Sequence, residues 1–251
     1  MAWRCSLYLG GAGNLKIGVF SVIKGRTSDF YRCGKRRGIA LQSGEHDIEW
    51  NLIPLDEVGH SGFKLRPRCI LEFGGRPSYR HGMALNTLVL YQHEYDIVIV
   101  MDADFVVMRQ NWDSLIVDVM KDKDVLATMD TEWPVVRPFL MVFRKGILTA
   151  EIDFRPVSFD LGQKSLFGMD TGCRIIGHIV RNNLRCEVLR GKRNSKFKKT
   201  NSISYFYGGE IFGSHMGGAR NIDYKSDYVT QWRKWMKANT VYKQEESNGD
   251  G

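Results

Sequence analysis

The sequence predicts a layered α/β fold with a mostly parallel central sheet. Three observations lead there. Short β-branched and apolar runs, KIGVFSVIK from Lys16 to Lys24 and DIVIVM from Asp96 to Met101, have the length and composition of buried strands. Stretches with apolar residues at helical spacing lie between and after such runs, so strands alternate with helices. The chain of 251 residues, 43% hydrophobic and 25% charged, has the make-up of a globular domain large enough to bury a sheet on both faces. A single domain is expected over residues 1–242, divided into halves at 16–150 and 151–242, with a frayed tail at 243–251.

The first strand is read from Lys16 to Lys24. A helix follows, started by Thr27 or Ser28 and running through the basic RCGKRRG segment toward Gln42, with Gly34 and Gly38 as weak points inside it. IEWNLIPL, Ile48 to Leu55, reads as the second strand, and the Gly-, Pro- and Arg-rich stretch from Gly59 to Arg80 as a loop suited to substrate contacts. Met83, Leu85, Leu88, Val89 and Tyr91 form a helical stripe between Tyr79 and Glu94, leading into the DIVIVM strand. DSLIVDVMKD is expected to be a helix capped by Asp113, and DVLATMD and PFLMVFRK two further strands. Beyond Asp153 the pattern predicts loops and acceptor contacts rather than sheet. Close to the carboxyl end, Tyr228, Trp232, Trp235 and Met236 share one face of an amphipathic helix, which either docks on the core or lies on a membrane surface.

Composition excludes several classes. No apolar run approaches the roughly 20 residues of a membrane-spanning helix. Five scattered cysteines without CxxC spacing argue against a disulfide framework and a zinc site. The amino terminus, MAWRCSLYLGGAGNLK, lacks the sustained apolar core of a secretory signal, so a cytoplasmic location is expected. A formal net charge of +8 suits a polyanionic partner, whether nucleic acid, an anionic membrane surface or a phosphorylated substrate, and also suits mere solubility.

The chemistry concentrates in YDIVIVMDADFVVM, Tyr95 to Met108. If DIVIVM is a buried parallel strand, its end opens into the crevice where open α/β sheets bind ligands. Asp102 and Asp104, two apart on an extended chain, would point the same way and offer hard oxygen ligands to magnesium or manganese. The plainer alternative is a turn in which both acids cap backbone groups.

The run ALNTLVLYQHEYDIVIVMDADFVVM resembles the centre of the GT-A-fold, nucleotide-sugar-dependent glycosyltransferases, a Rossmann-related superfamily in which a helix with an Ala-Leu-Asn-like segment precedes a strand ending in DxD. The likeness covers Tyr79 to Trp112 best, Lys16 to Asp56 less, and only motifs beyond Asp153. It implies a nucleotide-sugar-binding first half and an acceptor-binding second half. It implies that Asp104 coordinates a divalent metal bridging the diphosphate, with Asp102 beside the ribose or a metal-bound water, and that Asn86 belongs to the donor side. In FGMDTGCRI, Asp170 would contact the acceptor hydroxyl as general base, or else cap the following helix, with Asp160 in reserve. In GGEIFGSHMGGAR, His215 would be a further metal ligand, Gly217 and Gly218 would let backbone amides approach the diphosphate, and Arg220 would neutralise the departing phosphate. GSHM coincides with a common tag scar but lies deep inside the chain, and is read as native.

The first strand lacks the Asn or Asp that often follows it in inverting members of the superfamily. Base recognition therefore falls to Ser21, Lys24 and Asp56, and the anomeric outcome is open. The resemblance implies transfer of a sugar, from a UDP-sugar by preference and with Mn2+ or Mg2+, to a glycan or lipid-linked sugar. The basic segments at 32–38 and 190–200, with Phe197 and Tyr205 as stacking platforms, also admit DNA with a hydroxylated base as acceptor. Two rivals stand beside this reading. A sugar-1-phosphate nucleotidyltransferase would need a tighter glycine signature than GGAGNLK, Gly10 to Lys16. A non-catalytic nucleic-acid-binding protein would leave the DxD without a purpose.

Overall fold

A computed structural model describes residues 14–23, 27–55, 77–129, 136–156, 171–172, 174–194, 202–217 and 223–242. Its elements run β1 (Lys16–Ile23), α1 (Thr27–Ala40), β2 (Asp47–Pro54), α2 (Pro77–Asn86), β3 (Ile97–Met101), β4 (Phe105–Val107), α3 (Trp112–Asp122), β5 (Val125–Met129), β6 (Val136–Arg144), α4 (Ile175–Arg181), β7 (Cys186–Arg193), β8 (Ile203–Tyr207), β9 (Glu210–His215) and α5 (Asp227–Ala238). The strands form one sheet in the order β2-β1-β3-β6-β5-β7-β8-β9-β4.

The layered α/β class is the predicted one, but the sheet is mixed. β1 pairs parallel with β2 and β3, and β5 with β7. The ladders β3–β6, β5–β6, β7–β8, β8–β9 and β4–β9 are antiparallel. Connection length explains the change of direction. Residues 130–135, between β5 and β6, are too few for the crossover that a parallel return requires. The second half of the chain is not loop but sheet, since β7, β8 and β9 complete it. Gly208 and Gly209, at φ +59° and +86°, form the two-residue turn of the β8–β9 hairpin, where positive φ at both positions matches the strand twist.

β3 is buried along its whole length, and its alternation divides the core in two. Ile97, Ile99 and Met101 pack with Trp112, Ile116 and Met120 of α3, whereas Val98 and Val100 pack with Ala84 and Leu85 of α2 and Ile175 of α4. Helices on both faces explain why this strand reads as a continuous apolar run. A third cluster joins Val229, Trp232 and Met236 of α5 to Phe30, Val106, Met108 and Met216. The aromatic face of α5 thus docks on the core, the first of the two alternatives for it.

Gly34 and Gly38, the expected weak points of α1, are contact points. A Cβ at Gly34 would lie 2.8 Å from the Phe105 carbonyl oxygen, and one at Gly38 would lie 2.5 Å from the Trp50 ring. Their bare backbone lets α1 lie directly on the sheet, and the Trp112 indole donates to the Gly38 carbonyl at 2.9 Å. Asp113 does not cap its helix. Asn111 is the N-terminal flanking residue, and the Asp113 carboxylate accepts from the Ser43 amide at 2.8 Å and the Ser43 hydroxyl at 2.6 Å. A buried carboxylate on the inner face of α3 is satisfied better by an adjoining loop than by its own helix end. The stripe from Tyr79 to Glu94 resolves into α2 and a 3-10 turn at Thr87–Leu90. No described helix is long and apolar enough to cross a membrane.

Candidate metal centre

The carboxylates sit where the sheet's parallel block ends. β3 stops at Met101, and the Asp102 amide still donates to Phe139 of β6 at 3.0 Å. The chain then reverses, with the Phe105 amide donating to the Asp102 carbonyl at 2.9 Å. Asp102 and Asp104 therefore belong to a tight turn and not to an extended strand as the sequence suggested. Their convergence comes from the turn and from what the turn delivers.

What it delivers is β4, a three-residue strand at the sheet's far edge. Its antiparallel register with β9 sets Phe105 opposite His215, Val106 opposite Ser214 and Val107 opposite Gly213. The Met216 amide donates to the Asp104 carbonyl at 3.0 Å and extends the pairing to the turn itself. Close approach depends on Gly213, where a Cβ would lie 2.7 Å from the Phe105 ring and 2.9 Å from the Val106 carbonyl. Strand pairing, and not sequence proximity, brings the histidine to the acids.

The side chains meet at short range. His215 Nε2 lies 3.0 Å from Asp104 Oδ1 and 3.6 Å from Asp102 Oδ2. One ligand atom from each of the three residues falls within 4.8 Å of the others. The His215 ring stacks on Phe139 with centroids 3.7 Å apart and planes 12° from parallel. Asp104 and His215 are buried, at 8% and 6% exposure, which makes their mutual compensation obligatory. Burial by itself would depress the imidazole; Asp104 and then Asp102 outweigh it and push the His215 pKa up to about 10. The two carboxylates demand a positive charge, and a divalent cation meets that demand on displacing the proton. Two carboxylates and one imidazole suit Mn2+ or Mg2+ with water and substrate oxygens completing the shell.

His81 joins the cluster from α2, its Nε2 being 3.6 Å from Asp102 Oδ1. Its local sequence does not mark it as a partner of Asp102. A helix that precedes a strand runs back along it, so the start of α2 faces the end of β3, and that geometry was the available signal. α2 is itself clamped. A Cβ at Gly82 would lie 2.6 Å from the Arg155 Cα, and Asn86 bonds both the Phe154 amide at 2.8 Å and the Asp153 carboxylate at 3.2 Å.

The other candidates separate clearly. Ser21 is buried near the end of β1, one residue beyond Phe20, whose register partner on β3 is Val100, and so shares the sheet end with the DxD. Asn86 spends its amide on the 153–154 segment. Gly217 is buried at φ +71°, a conformation that glycine adopts without strain. Tyr205 is no stacking platform: it is fully buried, packed between the rings of Phe105 and Phe139. As an alternating residue of a central strand it had to face one side of the sheet, and both sides are covered here. Lys24, Asp56, Asp160, Asp170, Gly218, Arg220, Phe197 and residues 56–76, 195–200 and 243–251 lie outside the described residues, while Pro77 to Arg80, expected to end the loop, open α2 instead.

No protein-family model matches the chain, and no curated protein matches it in sequence. Solved structures with a partial likeness include a protein from Desulfovibrio desulfuricans described as a nucleotide-diphospho-sugar transferase, at 15% identity, covering 69% of this chain and 79% of that one with a TM-score of 0.39. A mannosyltransferase from Pyrobaculum calidifontis, in complex with GDP-Man and Mn2+, shares 13% identity over 73% of this chain and 58% of its own, TM-score 0.45. A glycosyltransferase involved in glycosylation of the major capsid of PBCV-1 shares 9% identity over 69% and 80%, TM-score 0.38. These three overlaps are partial and their TM-scores lie below 0.5.

Proposed function

We propose that this protein is a metal-dependent glycosyltransferase that takes a sugar from a nucleotide-sugar donor, a UDP-sugar by preference, to an acceptor hydroxyl. The observation that carries the reading is the convergence of Asp102, Asp104 and His215 at the carboxyl end of the β2-β1-β3 parallel block, the place where such sheets bind nucleotides. A bound Mn2+ or Mg2+ would supply charge neutralisation for the departing diphosphate.

The chain's own residues take the remaining roles. Asp104 and His215 hold the cation, and Asp102 is shared between it and the donor's ribose. His81 steadies Asp102 through the contact at 3.6 Å. Ser21, Lys24 and Asp56 belong to the base and ribose side, with Asn86 supporting that side by fixing α2. Backbone amides around Gly217 and Gly218 would approach the diphosphate, Arg220 would neutralise the departing phosphate, and Asp170 would accept the acceptor's proton as its oxygen attacks the anomeric carbon. The acceptor class is a glycan or lipid-linked sugar, with hydroxylated DNA bases as the second class to screen.

Thermal-shift titration with UDP, GDP, CDP and ADP, with and without Mn2+, tests the proposal, because a ligand that binds the folded state raises its midpoint by mass action. A Mn2+-dependent shift with one nucleotide, absent in Asp104→Ala, is the expected result. No shift with any nucleotide would sink it.

A further inference from the structure

A second concentration of charge lies in the groove between α1 and α5. Arg32, Arg36 and Arg37 from one helix face Arg233 and Lys234 from the other across a cavity of about 750 Å3. Among the described lining residues, five cations thus meet a single carboxylate, Asp29. The basic run on α1 is legible in the sequence; only the fold sets the two cations of α5 opposite it.

The walls are rigidly founded. α1 rests on β4 through Gly34, and α5 is anchored by Val229, Trp232 and Met236 in the cluster that includes Phe30 and Val106. Arg37 bridges the helices, one terminal nitrogen donating to the Met236 carbonyl at 3.3 Å. Its Nε is buried with no hydrogen-bond partner among the described residues, an unmet donor at the groove. Asp29 is already approached by Arg32 at 3.6 Å, and Arg233 lies over the Tyr224 ring at 5.3 Å. Arg36 and Lys234 are exposed and have no acidic partner among the described residues.

Like charges crowded into a concavity repel one another and raise the local potential, a cost that a bound anion removes. Convergence of cations from two walls onto one space selects a compact, multiply charged anion. A duplex would instead call for cations ranged along an open face. We infer that the α1–α5 groove binds a ligand carrying two or more phosphates close together, either free in solution or as a lipid headgroup. Guanidinium forks on one wall and an ammonium on the other match adjacent phosphate oxygens. None of the described lining residues belongs to the metal centre, and the inference does not depend on the glycosyltransferase reading.

Calorimetric titration of the whole protein with sodium tripolyphosphate, in EDTA so that no cation bridges to the carboxylates, tests the inference. The expected result is one saturable site whose affinity falls with salt. It should fall at least about tenfold in the double variant Arg36→Glu/Lys234→Glu and stay unchanged in Asp104→Asn. Both altered side chains are exposed, so an unchanged thermal midpoint will verify the fold. Absence of saturable binding, equal affinity in the double variant, or loss in Asp104→Asn would overturn the site, as would binding of duplex DNA without binding of tripolyphosphate. Sedimentation with phosphatidylcholine vesicles, with and without phosphatidylinositol 4,5-bisphosphate, identifies the source. Vesicle binding that tripolyphosphate displaces assigns a headgroup, and tripolyphosphate binding alone assigns a free ligand; both support the groove.

Discussion

His215 Nε2 stands 3.0 Å from Asp104 Oδ1 because the β4–β9 register puts His215 directly across from Phe105, the residue after Asp104. One strand pairing therefore holds the two firmest ligands of the candidate site. Asp104→Asn and His215→Ala should each weaken Mn2+ binding by at least about tenfold, read from the paramagnetic signal of free Mn2+. Wild-type affinity in both variants would remove these residues from the metal site.

His81 acts on Asp102 from outside the three-residue cluster. His81→Ala should lower Mn2+ affinity by about 10- to 100-fold while leaving the urea midpoint close to wild type, since the side chain packs little of the core. His81→Gln, which keeps a donor, should recover part of the loss. Equal affinities in all three proteins would make the 3.6 Å contact incidental.

Gly213 couples stability to the site. A methyl group there meets the Phe105 ring at 2.7 Å and the Val106 carbonyl at 2.9 Å, and neither backbone strand can yield without shifting the other. Gly213→Ala should cost about 1–3 kcal/mol in urea unfolding and should also weaken Mn2+ binding, because β9 carries His215. A destabilised variant with intact metal affinity would show that the β4–β9 spacing is not what places the histidine.

Asp153 should report on acid stability. Burial raises its pKa, but hydrogen bonds from the Arg155 side chain and amide and from Asn86, with the Arg155 charge, outweigh that and bring it down to about 2. Arg174 adds a contact at 2.9 Å. A carboxylate held below its unfolded value, about 3.9, contributes stability that is fully present above that value and is lost as pH falls through about 2. Asp153→Asn should therefore remove part of the stability at neutral pH and flatten the decline between about pH 4 and 2, as measured by urea midpoints across that range. An unchanged pH profile would mean that the Asn86–Asp153–Arg155 network has no net effect on folding.

Local sequence was sufficient wherever one segment's pattern settles its own burial. The apolar run before Asp102 reads as a buried strand, the spacing of Tyr228, Trp232, Trp235 and Met236 sets one apolar face on α5 that the fold buries against the core, and Asp102 and Asp104 stand out as candidate ligands because acids beside such runs need compensation. Long-range pairing decided the rest. Nothing near His215 announces that β9 will lie against β4, since a register between distant strands depends on the intervening sheet order, on the Gly208–Gly209 turn and on the bare backbone of Gly213. For the same reason Asp113 found Ser43 instead of its helix end, Tyr205 went into the core instead of toward a base, and the arginines of α1 acquired facing cations on α5. Residue chemistry specified which groups can bind a cation or a phosphate, and the closing of the sheet and the packing of the two helices determined which of them meet, because only those steps bring distant segments within the few ångströms over which ligands and charges act.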